Sequence, residues 1–389
     1  MTNSAFKKTV GIIVVLFLFF SQFTGVSWVN PVVAGKNISV YIGYVVVLLS
    51  IVLLFCKTLK SIKFDEVMLI MGTFFTVLIS IVARNGINNI WNEIYPFIVP
   101  LLLYYPIKYS GIKQNTLLNC LLISSFAGAA VSFLISMKII SVETWAAKND
   151  FVRSAGFVDG TLGVVAFCCS LILLTRPKSK IQGVLAFLGL IASSMIIMFG
   201  FSRLRVAIAF VMLFIIVFTK VSSKGGIFGR LNLIFIVFVL AVIVLFAFPN
   251  IIDTVWRMIN MRFSNLGTDG NTSYRVRETL VHIENIVSTM GFGTGWGIRH
   301  QMENVFVHNM YSGVVMHCGI VFGFYYIYFL IKTAFNAYKG IKKKDDSVME
   351  NTFALIIMLV ILCAGFGGAG VTQAGAWFGM AIVYSREEK

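Results

Sequence analysis

A chain of 389 residues that is 58% hydrophobic, only 12% charged and has a mean hydropathy of +0.89 lies outside the range of soluble domains. Lipid is the expected solvent, so the expected fold is an all-α polytopic integral membrane protein, a single transmembrane domain over residues 1–389. A net charge of +16 would suggest nucleic acid in a soluble protein; here the position of each charge matters more than the sum, and no nucleic-acid partner is expected.

A spanning helix needs roughly 20 apolar residues, fewer where it is kinked. About twelve runs qualify, at 9–24, 38–56, 67–83, 92–107, 116–137, 159–175, 181–200, 206–219, 231–248, 308–331, 351–366 and 369–385. The first follows Lys7 and Lys8, but no small-residue cleavage pattern follows Phe20, so it reads as a retained helix rather than a signal peptide. The fourth carries Glu93, Pro96 and Pro100, and the last begins among Gly367, Gly368, Gly370 and Gly375; either can be broken or re-entrant. The six cysteines lie in or beside spans without metal or disulfide spacing and read as packing residues.

With the N-terminus inside, the loops 57–66, 108–115, 176–180, 220–230 and 332–350 and the two tails hold 20 of the 32 basic residues. The positive-inside rule supports this orientation, with both termini cytoplasmic. Residue type divides more sharply: 17 Lys and 3 Arg inside, 3 Lys and 9 Arg outside. The outer arginines are Arg84, Arg153, Arg203, Arg205, Arg257, Arg262, Arg275, Arg277 and Arg299. Arginine grips phosphate or carboxylate oxygens with a planar fork, so an arginine-rich outer face points to an anionic, lipid-linked ligand. Pairing with Asp150, Asp159, Asp253, Asp269, Glu278, Glu284 or Glu303, or contact with lipid headgroups, is the structural alternative. Arg203 and Arg205 read as a tight turn between spans seven and eight, where a charge at membrane depth is costly and marks a functional candidate.

The longest loop, 249–307, lies between spans nine and ten and is read as extracytoplasmic. Trp256 to Phe263 is amphipathic, and Ser273 to Thr289 reads as a helix with Val276, Leu280, Ile283 and Val287 at helical spacing. Four alternating glycines then occupy 291–297, where Gly293 and Gly295 would expose amides able to cradle an anion. His308 and Asn309 open the tenth span, and His308 can act as a base near neutral pH, whereas His317 reads as structural. No metal cluster and no nucleotide fingerprint is present in the sequence.

Ser202-Arg203 after a hydrophobic helix, Ser273-Tyr274-Arg275 in a large outer loop, Gly293-Thr294-Gly295, His308-Asn309-Met310-Tyr311 and Gly319-Ile320-Val321 together resemble the O-antigen polymerase and ligase superfamily over about residues 190–330. The glycine pair Gly319 and Gly323 is one residue wider than that pattern. The resemblance implies a glycosyltransferase of the bacterial cytoplasmic membrane, independent of metal and cofactor, whose donor is an undecaprenyl-pyrophosphate-linked oligosaccharide. A flippase and a chain-length regulator of the same pathway would be its partners. It assigns Arg203 and Arg275 to the donor pyrophosphate and His308 to the acceptor hydroxyl. Arg205, Arg277, Arg299 and Asn309 join them as substrate-binding candidates by charge and position. Polymerase is the favoured activity; ligase is the alternative within the family, and a lipid-linked oligosaccharide transporter is the alternative of another class. A purely structural subunit would tolerate loss of all three assigned residues.

Overall fold

The computed structural model describes residues 3–23, 26–56, 64–83, 86–140, 147–148, 151–152, 154, 157–175, 177, 179–200, 202–218, 270–298, 309–342, 348–367 and 373–386. Thirteen α-helices occur among the described residues. They are α1 (Asn3–Phe20), α2 (Ile38–Cys56), α3 (Phe64–Val82), α4 (Ile87–Leu102), α5 (Tyr104–Ser110), α6 (Gln114–Ser136) and α7 (Gly160–Thr175). Then come α8 (Lys180–Gly200), α9 (Arg203–Phe218), α10 (Gly270–Ser288), α11 (Met310–Lys342), α12 (Val348–Ala364) and α13 (Ala374–Tyr384). Two small antiparallel hairpins pair β1 (Val32–Val33) with β2 (Lys36–Asn37) and β3 (Ala147–Lys148) with β4 (Phe151–Val152). The protein is therefore mostly helical. Helices α6, α8 and α11 are long and apolar enough to cross a membrane, and shorter apolar helices lie in α2, α3, α7, α12 and α13.

Four sequence expectations change in detail. The fourth run is two helices, α4 and α5, meeting at Leu103; Pro96 and Pro100 are both inside α4. The eighth run begins earlier, so Arg203 and Arg205 belong to the first turn of α9 rather than to a connecting turn. The tenth continues to Lys342, which turns part of the expected loop 332–350 into helix. The last helix starts only at Ala374. The run at 231–248 and the amphipathic stretch from Trp256 to Phe263 lie outside the described residues.

Burial explains the arrangement. A helix that is apolar all round belongs inside a bundle or against lipid, and α13 is buried at every residue from Ala374 to Tyr384. Helices α7 and α12, apolar all round as well, bury most of their length beside it. Large side chains on the outer helices face outward instead, among them Leu48 on α2, Phe74 on α3, Phe210 and Phe214 on α9 and Phe324 on α11. Lipid is as apolar as leucine, so close backbone approach between small residues takes over the role of hydrophobic driving force. A Cβ on Gly163 would lie 2.9 Å from Ile196, and one on Gly189 would lie 2.6 Å from Leu122, which brings α6, α7 and α8 into tight register.

Each end of the bundle has its own clasp. At one end Asp159 N–H donates to the Gln22 carbonyl (3.0 Å), Gln22 Nε2 donates to the Ala374 carbonyl (3.1 Å), and Met310 N–H donates to the Gly365 carbonyl (2.9 Å). At the other, Lys108 Nζ donates to the Arg386 carbonyl (2.9 Å) and Lys332 Nζ pairs with Asp65 (2.6 Å). The first clasp crosses at Gly375, where an added Cβ would meet Leu162 N at 2.2 Å and the Thr161 carbonyl carbon at 2.6 Å. Backbone cannot yield as a side chain can. Gly375→Ala should therefore destabilise by about 3 kcal/mol, read as a thermal midpoint several degrees lower in detergent. Gly200→Ala, whose new Cβ meets nothing within 4 Å, should leave the midpoint unchanged.

Candidate functional site

The clasp at Asp159 is where the described outer arginines begin to gather. Asp159 precedes α7, and its Oδ1 accepts the Thr161 amide at 2.8 Å while its Oδ2 accepts the Gly375 amide at 2.6 Å. One carboxylate thus caps α7 and reaches the first turn of α13, both places where the helix dipole favours negative charge. Arg205 lies 3.8 Å from the same carboxylate, and its guanidinium rests where a Cβ of Gly160 would be, 2.5 Å from Nη1. Thr161 Oγ1 donates to Gln373 Oε1 beside it. Arg205 is therefore held by Asp159, the pairing that the sequence left open.

Arg203 and Arg205 occupy the first turn of α9, and that turn contains no acidic residue. Two cations at the positive end of their own helix are electrostatically unfavourable unless an anion sits near them. Arg275 comes to the same place from a distant part of the chain. A Cβ on Gly367, in the turn after α12, would be 2.9 Å from Leu204 and 3.4 Å from Arg275 Nη1. The Arg275 guanidinium therefore lies beside the residue that separates Arg203 from Arg205. Arg275 and Arg277 are exposed, and neither forms an ion pair among the described residues.

Helix α10, which carries both, is oriented contrary to ordinary soluble amphipathicity. Val276, Leu280, Ile283 and Val287 are all exposed, at 57%, 53%, 48% and 71%. Glu278 and His282 are the buried face, at 4% and 0%. His282 Nδ1 shares a hydrogen bond of 2.8 Å with Ser312 Oγ on α11, and its Nε2 lies 3.9 Å from Glu278 one turn back on α10. Glu278 so faces His282 rather than Arg275. Ser312 is in the first turn of α11, and Asn309 caps that turn by accepting the amides of Tyr311 (3.0 Å) and Ser312 (3.4 Å) on Oδ1. The His282–Ser312 bond consequently ties the helix of Arg275 to the turn that follows His308. His308 and Arg299 lie outside the described residues.

The glycine run behaves differently from an anion cradle. Its four glycines have φ of 81, 88, 71 and 94° at Gly291, Gly293, Gly295 and Gly297, and the run enters a break in α11 at Gly319 (φ 76°, ψ 171°). The carbonyls that the break releases take up its amides: Thr294 N–H donates to Met316 (2.8 Å) and Gly295 N–H to His317 (3.1 Å), while Ile320 N–H donates back to Gly291 (2.8 Å). Gly293 N–H donates to Thr289 Oγ1, Trp296 N–H to Ser80 Oγ at 2.5 Å and Gly297 N–H to Glu93 Oε2 at 2.7 Å. Every amide from Gly293 to Gly297 has a protein acceptor. A Cβ on Gly293 would strike Gly319 N at 2.4 Å. Gly293 and Gly295 enter the account as backbone that seals a broken helix, not as donors to an anion.

This seal also takes in Glu93. Glu93 is 5% exposed in the second turn of α4, 3.8 Å from His317, which is itself 1% exposed. His317 Nδ1 meets the Gly295 carbonyl at 2.9 Å, and its ring stacks on Trp296 at 4.7 Å and 18°. Trp296 in turn packs on Phe97 and donates Nε1–H to Thr76. The reading of His317 as structural suits these contacts.

Arg203, Arg205, Arg275 and Asn309 are thus gathered at one end of the bundle, whereas Gly293 and Gly295 belong to a buried latch. His282 and Glu278 were missed as site residues; the signal available was an i,i+4 acid–base pair on the face opposite an apolar stripe. Compared with family models and with curated protein sequences, the chain matches none. Removing a buried partner of this kind costs about 1–3 kcal/mol, roughly one to two decades in a local opening equilibrium. His282→Ala should speed amide exchange over 270–288 by that factor and leave α6 to α8 unchanged, as measured by hydrogen exchange with mass spectrometry.

Proposed function

We propose that this chain is a polysaccharide polymerase that joins undecaprenyl-pyrophosphate-linked repeat units on the extracytoplasmic face of a bacterial cytoplasmic membrane. The observation that carries the reading is the meeting of Arg275 with the Arg203-Leu204-Arg205 segment at Gly367, at the positive end of α9. Residues separated by some seventy positions bring arginines to the same end of the bundle, and an anion with several oxygens is the ligand that such groups fit.

In this reading Arg275 and Arg203 bind the donor pyrophosphate, with Arg277 and Arg299 as further contacts. Arg205, fixed by Asp159, adds charge without being free to swing away. The acceptor hydroxyl attacks the anomeric carbon from the face opposite the leaving group, so the sugar is transferred with inversion. His308 takes the hydroxyl proton, and undecaprenyl pyrophosphate departs with the bonding electron pair. Charge grows on the leaving pyrophosphate in a water-poor site, where fixed guanidinium groups act most strongly. Asn309, next to His308 in sequence, caps α11.

The test is elongation by the purified protein of undecaprenyl-pyrophosphate-linked repeat unit from its host, with and without EDTA, followed on gels. A ladder that survives EDTA is expected. Arg203→Ala, Arg275→Ala and His308→Ala should each lower the rate by about a hundredfold or more. Arg275→Lys should recover only part of the loss, because lysine cannot present two parallel donors. Transfer only after a separate acceptor is added would identify a ligase, and vesicle flux without elongation would identify a transporter. Full activity in all three alanine variants would dismiss the site.

A further inference from the structure

The bundle contains a second feature, at the end opposite the arginines, that does not depend on the polymerase reading. A cavity of about 550 Å³ lies between α2, α3, α4, α5, α11 and α13. It exists because α3 packs on α11 and α4, leaving room between α2 and α3. The cavity follows α3 from Asp65 to Val77 and α4 from Trp91 to Leu102, a length of about 17 Å at the helical rise. Its walls are almost wholly apolar or aromatic over that length, and Ile70 and Phe74 form an open lip toward the surroundings of the bundle.

Among the described lining residues, charge occurs at one end only. Lys332 and Arg386 line that end together with Asp65, and Lys108 adjoins Arg386 through its carbonyl. Lys332 Nζ is 2.6 Å from Asp65 Oδ2, and Tyr325 donates its hydroxyl to Asp65 Oδ1 at 2.5 Å, so the one acid among the described lining residues is already engaged. Among the described lining residues, two cations and one carboxylate meet at that end. A narrow apolar slot running along the bundle axis with a cationic mouth matches the two parts of one molecule: a hydrocarbon chain and an anionic headgroup.

We infer that this cavity is a binding site for one acyl chain of an anionic glycerophospholipid whose phosphate sits at Lys332 and Arg386. The chain replaces the contacts that α2 and α3 do not make with one another, and the headgroup fixes which lipid enters. Ion pairing at a partly desolvated rim favours an anionic over a zwitterionic headgroup.

Trp91 lines the slot and supplies a native reporter. The full chain is reconstituted with increasing mole fractions of phosphatidylglycerol or phosphatidylcholine brominated on the acyl chain, and the Trp91 signal is isolated by subtracting a Trp91→Phe variant. Quenching should half-saturate at a mole fraction at least threefold lower for phosphatidylglycerol. Lys332→Gln with Arg386→Gln should remove that preference and leave the phosphatidylcholine curve in place, while Thr73→Phe should weaken quenching by both lipids. Native mass spectrometry of the unaltered protein should retain one anionic phospholipid after detergent exchange. Identical curves for the two headgroups, or no retained lipid, would overturn the assignment and leave the slot filled by bulk lipid alone.

Discussion

The structure depends on one constraint: inside a bilayer, a backbone amide or carbonyl that leaves a helix must find its partner within the protein. The break at Gly319 is the place where the chain meets that demand most directly. A helix interrupted there frees the carbonyls of Met316 and His317, and Thr294 and Gly295 of the glycine run supply the amides that answer them. The glycines are required because the two backbones touch, not because the segment is loose. The buried Glu93 and His317 then close the remaining polar positions around Trp296. Asp159 solves the same problem at the helix ends, capping α7 and reaching the first turn of α13 with one carboxylate.

These two seals hold the arginine-bearing segments in place. Helix α9 follows α8 with hardly any connection, so Arg203 and Arg205 are fixed by the helix start itself. Helix α10 has no such short tether. It is placed by the latch that follows it and by the His282–Ser312 bond, and Arg275 moves with it. An arginine-bearing end built from separate segments in this way gains geometry from packing.

Hydropathy made most of the helices legible, since apolar runs near 114–136, 160–175 and 180–200 have few charges to obscure their limits. Boundaries next to charge were harder. Arg203 and Arg205 look like a turn in a hydropathy profile, yet they continue a helix whose N-terminus can be capped and paired from outside. The length of α11 was hidden because Lys332, Lys339 and Lys342 resemble a loop by composition alone. The pairing of Arg205 with Asp159 was open to the sequence as one alternative among several. The glycine run was the largest departure. Whether an amide is exposed depends on what lies opposite it, and the partners of the amides of 294–297 come from α3, α4 and α11, outside the run itself.

Helix α10 carries the same lesson into function. Its apolar positions repeat at helical spacing, which in water would mark the buried face; here they point outward and the acid and imidazole point in. That inversion is favourable only if the outward surroundings are themselves apolar, or at least interfacial, and if the inward face has polar groups to meet. Ser312 provides one such group, and its neighbour Asn309 caps the turn next to His308. A helix held by its polar side and wetted by lipid on the other can bring Arg275 to the start of α9 without burying the guanidinium. The side chain keeps its charge at the surface.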